Sequence, residues 1–203
     1  MTESALIIFT RNPELGKCKT RLAKTLGDQS ALDIYKYLLQ HTANIAKKTE
    51  ADRYVFYSES INYNDIWSND FFNKKLQNGS DLGMRMLNAF NELLNLGYKK
   101  VIIIGSDLLD LNERVIAEAS SALDYHDVVI GPAEDGGYYL LGLKKMYPKL
   151  FKNKDWGTET VRQDTLKDLQ NSNVHLLKEL NDIDTFDDMK HYHQLKQFYN
   201  THD

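Results

Sequence analysis

The chain has one cysteine, Cys18, among its 203 residues. No intramolecular disulfide can form, so the fold must rest on its core, and a reducing cytoplasm is the expected home. Proline is scarce, with three residues, and no Pro-, Gly- or Ser-rich tract marks a linker. No sign of charge dominates: 25 Lys and Arg against 29 Asp and Glu give a formal net charge of −4. A nucleic-acid partner is therefore not expected, because phosphate-backbone binding needs a basic face. No apolar run approaches a membrane span. The opening MTESALIIFTRNP lacks the basic region and small-residue cleavage site of a secretion signal. The six histidines show no zinc-like spacing. There is no G-x-S-x-G elbow, and Cys18 has no histidine close by in sequence, so nucleophilic hydrolase chemistry has no support. The G-x-G-x-x-G dinucleotide fingerprint and the full P-loop spacing are also missing.

What is present is an alternation of apolar strands and amphipathic helices. Ala5 to Thr10 reads as a buried strand, followed by the polar loop Arg11 to Lys19. A helix is predicted from Thr20, interrupted at Gly27 and restarted on Asp28, with Leu32, Tyr35, Leu38, Leu39, Thr42 and Ile45 at helical spacing. Further strands are predicted over 54–58, 75–77, 101–104, 127–133, 138–143 and 174–177. Helices are predicted over 82–97, 112–123, 158–171 and 185–199. Asn62 to Asn73 reads as a loop or short helix, with Trp67 assigned to an interface or an acceptor cleft. This order predicts one α/β domain over residues 1–203, with a mainly parallel sheet and helices on both faces.

Several stretches carry residues suited to chemistry. The run Val101-Ile102-Ile103-Ile104 fits a strand buried on both faces. It ends in Gly105-Ser106-Asp107, which sets Asp107 at the carboxyl edge of the sheet, where open α/β folds bind ligands. The alternative is that Asp107 or Asp110 caps the next helix. Lys17, Lys19 and Arg21, beside Gly16 and a helix start, suit a phosphate; otherwise they are solvated surface charges. Asp182-Ile183-Asp184-Thr185 either opens the last helix or supplies a carboxylate that joins Asp107 around a divalent cation. Gly79, Asp81 and Gly83 lie at a helix start and suit a base or phosphate, or form a turn and a cap. Asp135-Gly136-Gly137 is either a plain hairpin turn or a place where backbone approaches a ligand beside a carboxylate.

Taken in order, FTRNPELGKCKTRLA, NGSDLGMRM, GSDLLDL, GPAEDGGYYLLGL, the W-x-T-x-x-V of Trp156 to Val161 and DIDTFDD resemble the DUF2064 group of bacterial glycosyltransferase-like proteins. The resemblance implies a Rossmann-like GT-A fold of the nucleotide-diphospho-sugar transferase type. It implies that Arg11, Gly16, Lys17, Lys19, Arg21, Gly79, Asp81 and Gly83 serve the nucleotide and its phosphates. Asp107 then matches the metal-binding aspartate of the GT-A motif and Asp184 the second carboxylate, for Mg²⁺ or Mn²⁺. Asp135, Gly136, Gly137, Tyr138 and Trp156 line the acceptor side, with Asp135 orienting the acceptor or acting as base. Leu109 stands where the family usually has proline, and the D-x-D motif is reduced to Asp107. The expected activity is metal-dependent transfer from a nucleotide-activated donor, a nucleotide sugar first, to a small-molecule acceptor. The alternatives are nucleotidyl transfer that releases pyrophosphate from a nucleoside triphosphate, and nucleotide binding without turnover.

Overall fold

The structure, a computed structural model, describes residues 2–199. Seven strands form one sheet in the order β3-β2-β1-β4-β6-β5-β7. They are β1 (Ser4–Thr10), β2 (Asp52–Tyr57), β3 (Asn73–Leu76), β4 (Lys100–Ile104), β5 (Val128–Pro132), β6 (Tyr138–Leu143) and β7 (Val174–Leu176). Only β6 runs against its neighbours β4 and β5; every other pair is parallel. The helices are α1 (Thr20–Ala46), α2 (Leu82–Asn95), α3 (Glu113–Tyr125), α4 (Val161–Asp168) and α5 (Phe186–Met189).

The β-branched strands are buried on both faces because successive side chains alternate. Leu6, Ile8, Ile102 and Ile104 pack on one side with Tyr35 and Leu39 of α1 and Ile116 and Leu123 of α3. Ala5, Ile7, Val101 and Ile103 pack on the other with Met86, Phe90 and Leu93 of α2. Helix α1 is kinked at Gly27, whose φ of 81° is non-helical, and resumes at once. Trp67 is a core residue rather than an interface residue: it is 1% exposed and packs edge-on against Phe72. Asn112, and neither Asp107 nor Asp110, caps α3.

The helix predicted over 185–199 is instead the short α5 followed by a 3₁₀ turn, His193–Phe198. The spacing explains the difference. Phe186, Met189, Tyr192, Leu195 and Phe198 recur every third residue, the period of a 3₁₀ helix rather than an α-helix. These side chains lie against Leu22, Ile34 and Leu38, on the flank of α1 turned away from the sheet. Leu109, at the position of the family's usual proline, is buried in that same cluster beside Ile183.

The chain runs outward from β1 to β3 and returns on the other side of β1 as β4. Loops leaving β1 and β4 therefore part in opposite directions, and a crevice opens between their carboxyl ends.

Candidate active site

The loop after β1 is held from two sides. The Tyr35 hydroxyl of α1 accepts a hydrogen bond from the Arg11 N–H at 3.0 Å. The Asn12 carboxamide accepts from the Glu59 and Ser60 N–H groups and donates to the Ser60 carbonyl, tying the loop to the end of β2. At the start of α1, Lys19 has φ 48°, left-handed for a residue with a side chain. No side chain caps this helix, and Thr20 and Arg21 of its first turn line the crevice.

The turn sends Lys19 across the crevice. Its ammonium lies 2.8 Å from Asp107 Oδ2 and 3.9 Å from Asp184 Oδ1, and its side chain is 7% exposed. Burial opposes the charge, but Asp107, Asp184 and Asp182 outweigh it and raise the lysine above its ordinary value. Lys19 is thus a buried ammonium held by carboxylates from two distant parts of the chain.

Asp184 arrives there because Ile183 is pinned. The Ile183 side chain is fully buried, and its N–H donates to the Asp107 carbonyl at 3.0 Å. Asp182 and Asp184 flank this anchor. Arg21 Nη1 donates to Asp184 Oδ2 at 2.9 Å. Asp182 is pushed up to about 6 by burial and by the charges of Asp107 and Asp135, against the pull of Lys19. Thr185 caps α5 in a capping box with Asp188.

Two cavities meet at Asp107. The larger, about 740 Å³, is a polar cleft over the loop after β1, lined by Arg11, Lys17, Lys19, Arg21, Asp81 and Asp184. The smaller, about 250 Å³, lies beside it and is lined by Asp135, Gly137, Tyr138, Trp156 and Asp182. Phe9, Leu82, Gly105 and Asp107 line both. A ligand in each would have Asp107 between them.

The structure brings most of the expected residues to these two cavities, but not all. Lys17 sits at the mouth, half-exposed and paired with Glu14 at 2.6 Å. Asp81 caps α2 by accepting from the Met84 N–H, and also lines the larger cleft. Four glycines expected at ligands line neither cavity and serve turns or close packing instead. Gly16 turns beside the Asp28 carboxylate, and Gly79 packs on the backbone of Met84 and Arg85. A Cβ on Gly83 would lie 2.3 Å from the Phe151 carbonyl and 2.6 Å from the Trp156 indole nitrogen. Gly136 is pressed against the Glu159 backbone. Asp135 forms the hairpin turn and accepts from the Gly137 N–H, while its side chain also lines the smaller cavity.

Some site residues had no distinctive signal. Gln77, just past β3, donates to the Thr10 and Phe56 carbonyls and accepts from Arg85 at the far wall of the larger cleft. Tyr35 reads as part of an apolar helix stripe. Asp182 was legible: in the extended run D-I-D, a buried isoleucine turns both neighbouring carboxylates the same way.

A divalent cation would suit the point where Asp107 and Asp184 converge. Both are hard oxygen donors, and an ammonium already stands within reach of each. Among the described residues, no group of three or more His, Cys, Asp or Glu is disposed to hold a metal. A Mg²⁺ or Mn²⁺ held here would take its remaining ligands from water and a bound phosphate, as such ions commonly do.

The strand order, the basic loop after β1 and the carboxylate at the end of β4 define a fold of the nucleotide-diphospho-sugar transferase class. The chain belongs to the DUF2064 family, described as an uncharacterized protein conserved in bacteria, which matches residues 41–158. A protein of Desulfovibrio desulfuricans G20, provisionally described as a nucleotide-diphospho-sugar transferase, is 32% identical. Its structure covers 91% of this chain and 84% of its own, with a TM-score of 0.86. The fold is shared at 11% identity with a 4-diphosphocytidyl-2C-methyl-D-erythritol synthase of Anaerococcus prevotii, covering 92% of each chain at a TM-score of 0.62. It is shared also at 11% identity with a cytidylyltransferase of Leptospira borgpetersenii, covering 93% of this chain and 84% of the other at a TM-score of 0.60. Comparison with curated proteins gives no match. No helix among the described residues is long and apolar enough to cross a membrane.

Proposed function

We propose that the protein transfers a glycosyl group from a nucleotide-diphospho-sugar to a small acceptor, with Mg²⁺ or Mn²⁺. The observation that carries this is the junction of the two cavities at Asp107. The larger cleft offers Arg11, Lys19 and Arg21 and the start of α1 to a diphosphate. Asp107 and Asp184 would hold the metal, which when bound offsets charge on the leaving diphosphate. Lys19 adds a buried positive charge at the same place. The smaller cavity would hold the acceptor, with Asp135 orienting it or receiving its proton. In the step, an acceptor oxygen bonds to the anomeric carbon as the bond from that carbon to the diphosphate breaks. The proton leaves the acceptor and a nucleoside diphosphate is released. Most of the rate would come from positioning and electrostatics.

A thermal-shift screen of nucleotides and nucleotide sugars, with and without Mn²⁺, tests the donor. At least one should stabilise the protein more with the metal than without. Calorimetry on Asp107→Ala should then show metal-dependent binding lost with the fold intact; unchanged binding removes Asp107 from the site. Release of free nucleoside diphosphate supports glycosyl transfer, whereas pyrophosphate from a triphosphate indicates nucleotidyl transfer. Binding with no product across a broad acceptor panel indicates an accessory protein.

A further inference from the structure

The smaller cavity is unusual in what lines it. Among the described residues no lysine, arginine or histidine faces it, while three carboxylates do: Asp107, Asp135 and Asp182. Lys19 pairs with Asp107 from the neighbouring cleft, but no basic group stands within ion-pair distance of Asp135 or Asp182 among the described residues. The lining is also aromatic. Tyr138 and Trp156 meet edge-to-face, with ring centroids 6.4 Å apart and planes at 88°. The Tyr138 hydroxyl is buried and has no hydrogen-bond partner.

We infer that the acceptor is a small cationic amine on an apolar or aromatic body, and that this cavity rejects phosphates and carboxylates. Taking this cavity as the acceptor side rests on the transferase function proposed above. The chemistry then follows from the walls. Carboxylates without a cation favour an ammonium and repel an anion. Aromatic faces accept a cation or the flat body that carries it. At about 250 Å³, the space is smaller than sites for drug-sized ligands, roughly 300–1,000 Å³. A phosphorylated acceptor, as nucleotidyl transfer to a sugar phosphate needs, finds no basic group here.

The test uses three probes with one ring and one phenol but different charge: tyramine, 4-ethylphenol and 3-(4-hydroxyphenyl)propionate. Each is titrated into protein labelled with 5-fluorotryptophan and followed by ¹⁹F NMR and calorimetry. The chain's two tryptophans separate cleanly, because Trp67 is buried in the core and Trp156 lines the cavity. Tyramine should shift the Trp156 resonance alone and bind at least about tenfold more tightly than 4-ethylphenol. The propionate should not saturate. The isosteric double variant Asp135→Asn/Asp182→Asn should abolish the preference for tyramine while 4-ethylphenol binds as before. Equal affinity for the three probes, a preference for the anion, or no shift at Trp156 overturns the inference. A parallel titration with nucleoside diphosphate and Mn²⁺ keeps the two ideas apart. Tyramine binding without nucleotide binding sinks the transferase reading and leaves a cation site; the reverse sinks only the acceptor class.

Discussion

Lys19 is a residue whose type suggested its role and whose direction could not be foreseen. A lysine near a helix start suits phosphate. That it would turn inward and bind Asp107 depends on a left-handed backbone at a non-glycine position, which no spacing rule signals. Replacing it by methionine would leave Asp107 without its cation and Asp184 with Arg21 alone. The cost should fall below the roughly 3–5 kcal/mol of a fully buried broken pair. The reason is that Asp107 and Asp184 are about one-third exposed, at 32% and 33%. Urea unfolding of Lys19→Met should show that loss, and the variant should bind a nucleoside diphosphate at least about tenfold more weakly. Asp107 itself was legible, because the β-branched run fixes where β4 ends. The glycines were the weaker guide: Gly83 was assigned to a ligand, yet its missing Cβ makes room for Phe151 and Trp156. Gly83→Ala should therefore cost about 1–3 kcal/mol through overpacking, read as a lower thermal midpoint. Diphosphate affinity should change little.

At the scale of elements, strand and helix positions were readable because hydrophobic period separates them. The last element was misjudged as one long helix; its strict three-residue repeat was the missed signal. Its start depends on Asp188, which accepts from the Thr185 hydroxyl and from the Asp184 and Thr185 N–H groups. Burial works against the charged form, but these hydrogen bonds prevail and lower Asp188 below its ordinary 3.8. A depressed carboxylate stabilises fully above its unfolded value and ceases to do so as pH falls through the folded one. The cap of α5 should hold at pH 5 and loosen below about 3.8, seen as faster amide exchange over 184–190. Asp188→Asn should exchange fast at both pH values. Thr185→Ala should cost about 1 kcal/mol.

For the whole molecule, the mainly parallel α/β class was readable from the alternation of elements, whereas the strand order, with β6 antiparallel between β4 and β5, was not. What sequence could not supply was the docking of residues 183–198 on the outer flank of α1, since pairing of distant segments leaves no local trace. That docking is what carries Asp184 to Asp107. Ile183→Ala should cost roughly 2–4 kcal/mol and free the segment. Hydrogen exchange over 183–198 should rise, and diphosphate affinity should fall although no residue lining the cleft has changed.

The single backbone hydrogen bond from Ile183 to Asp107 also has a temporal meaning. During synthesis β1 to β6 are made while the larger cleft still lacks one of its acids. A chain in which residues 183 and 184 are not yet made has Asp107 at the crevice without Asp184, and under the proposed function it should bind nucleotide only once both are in place.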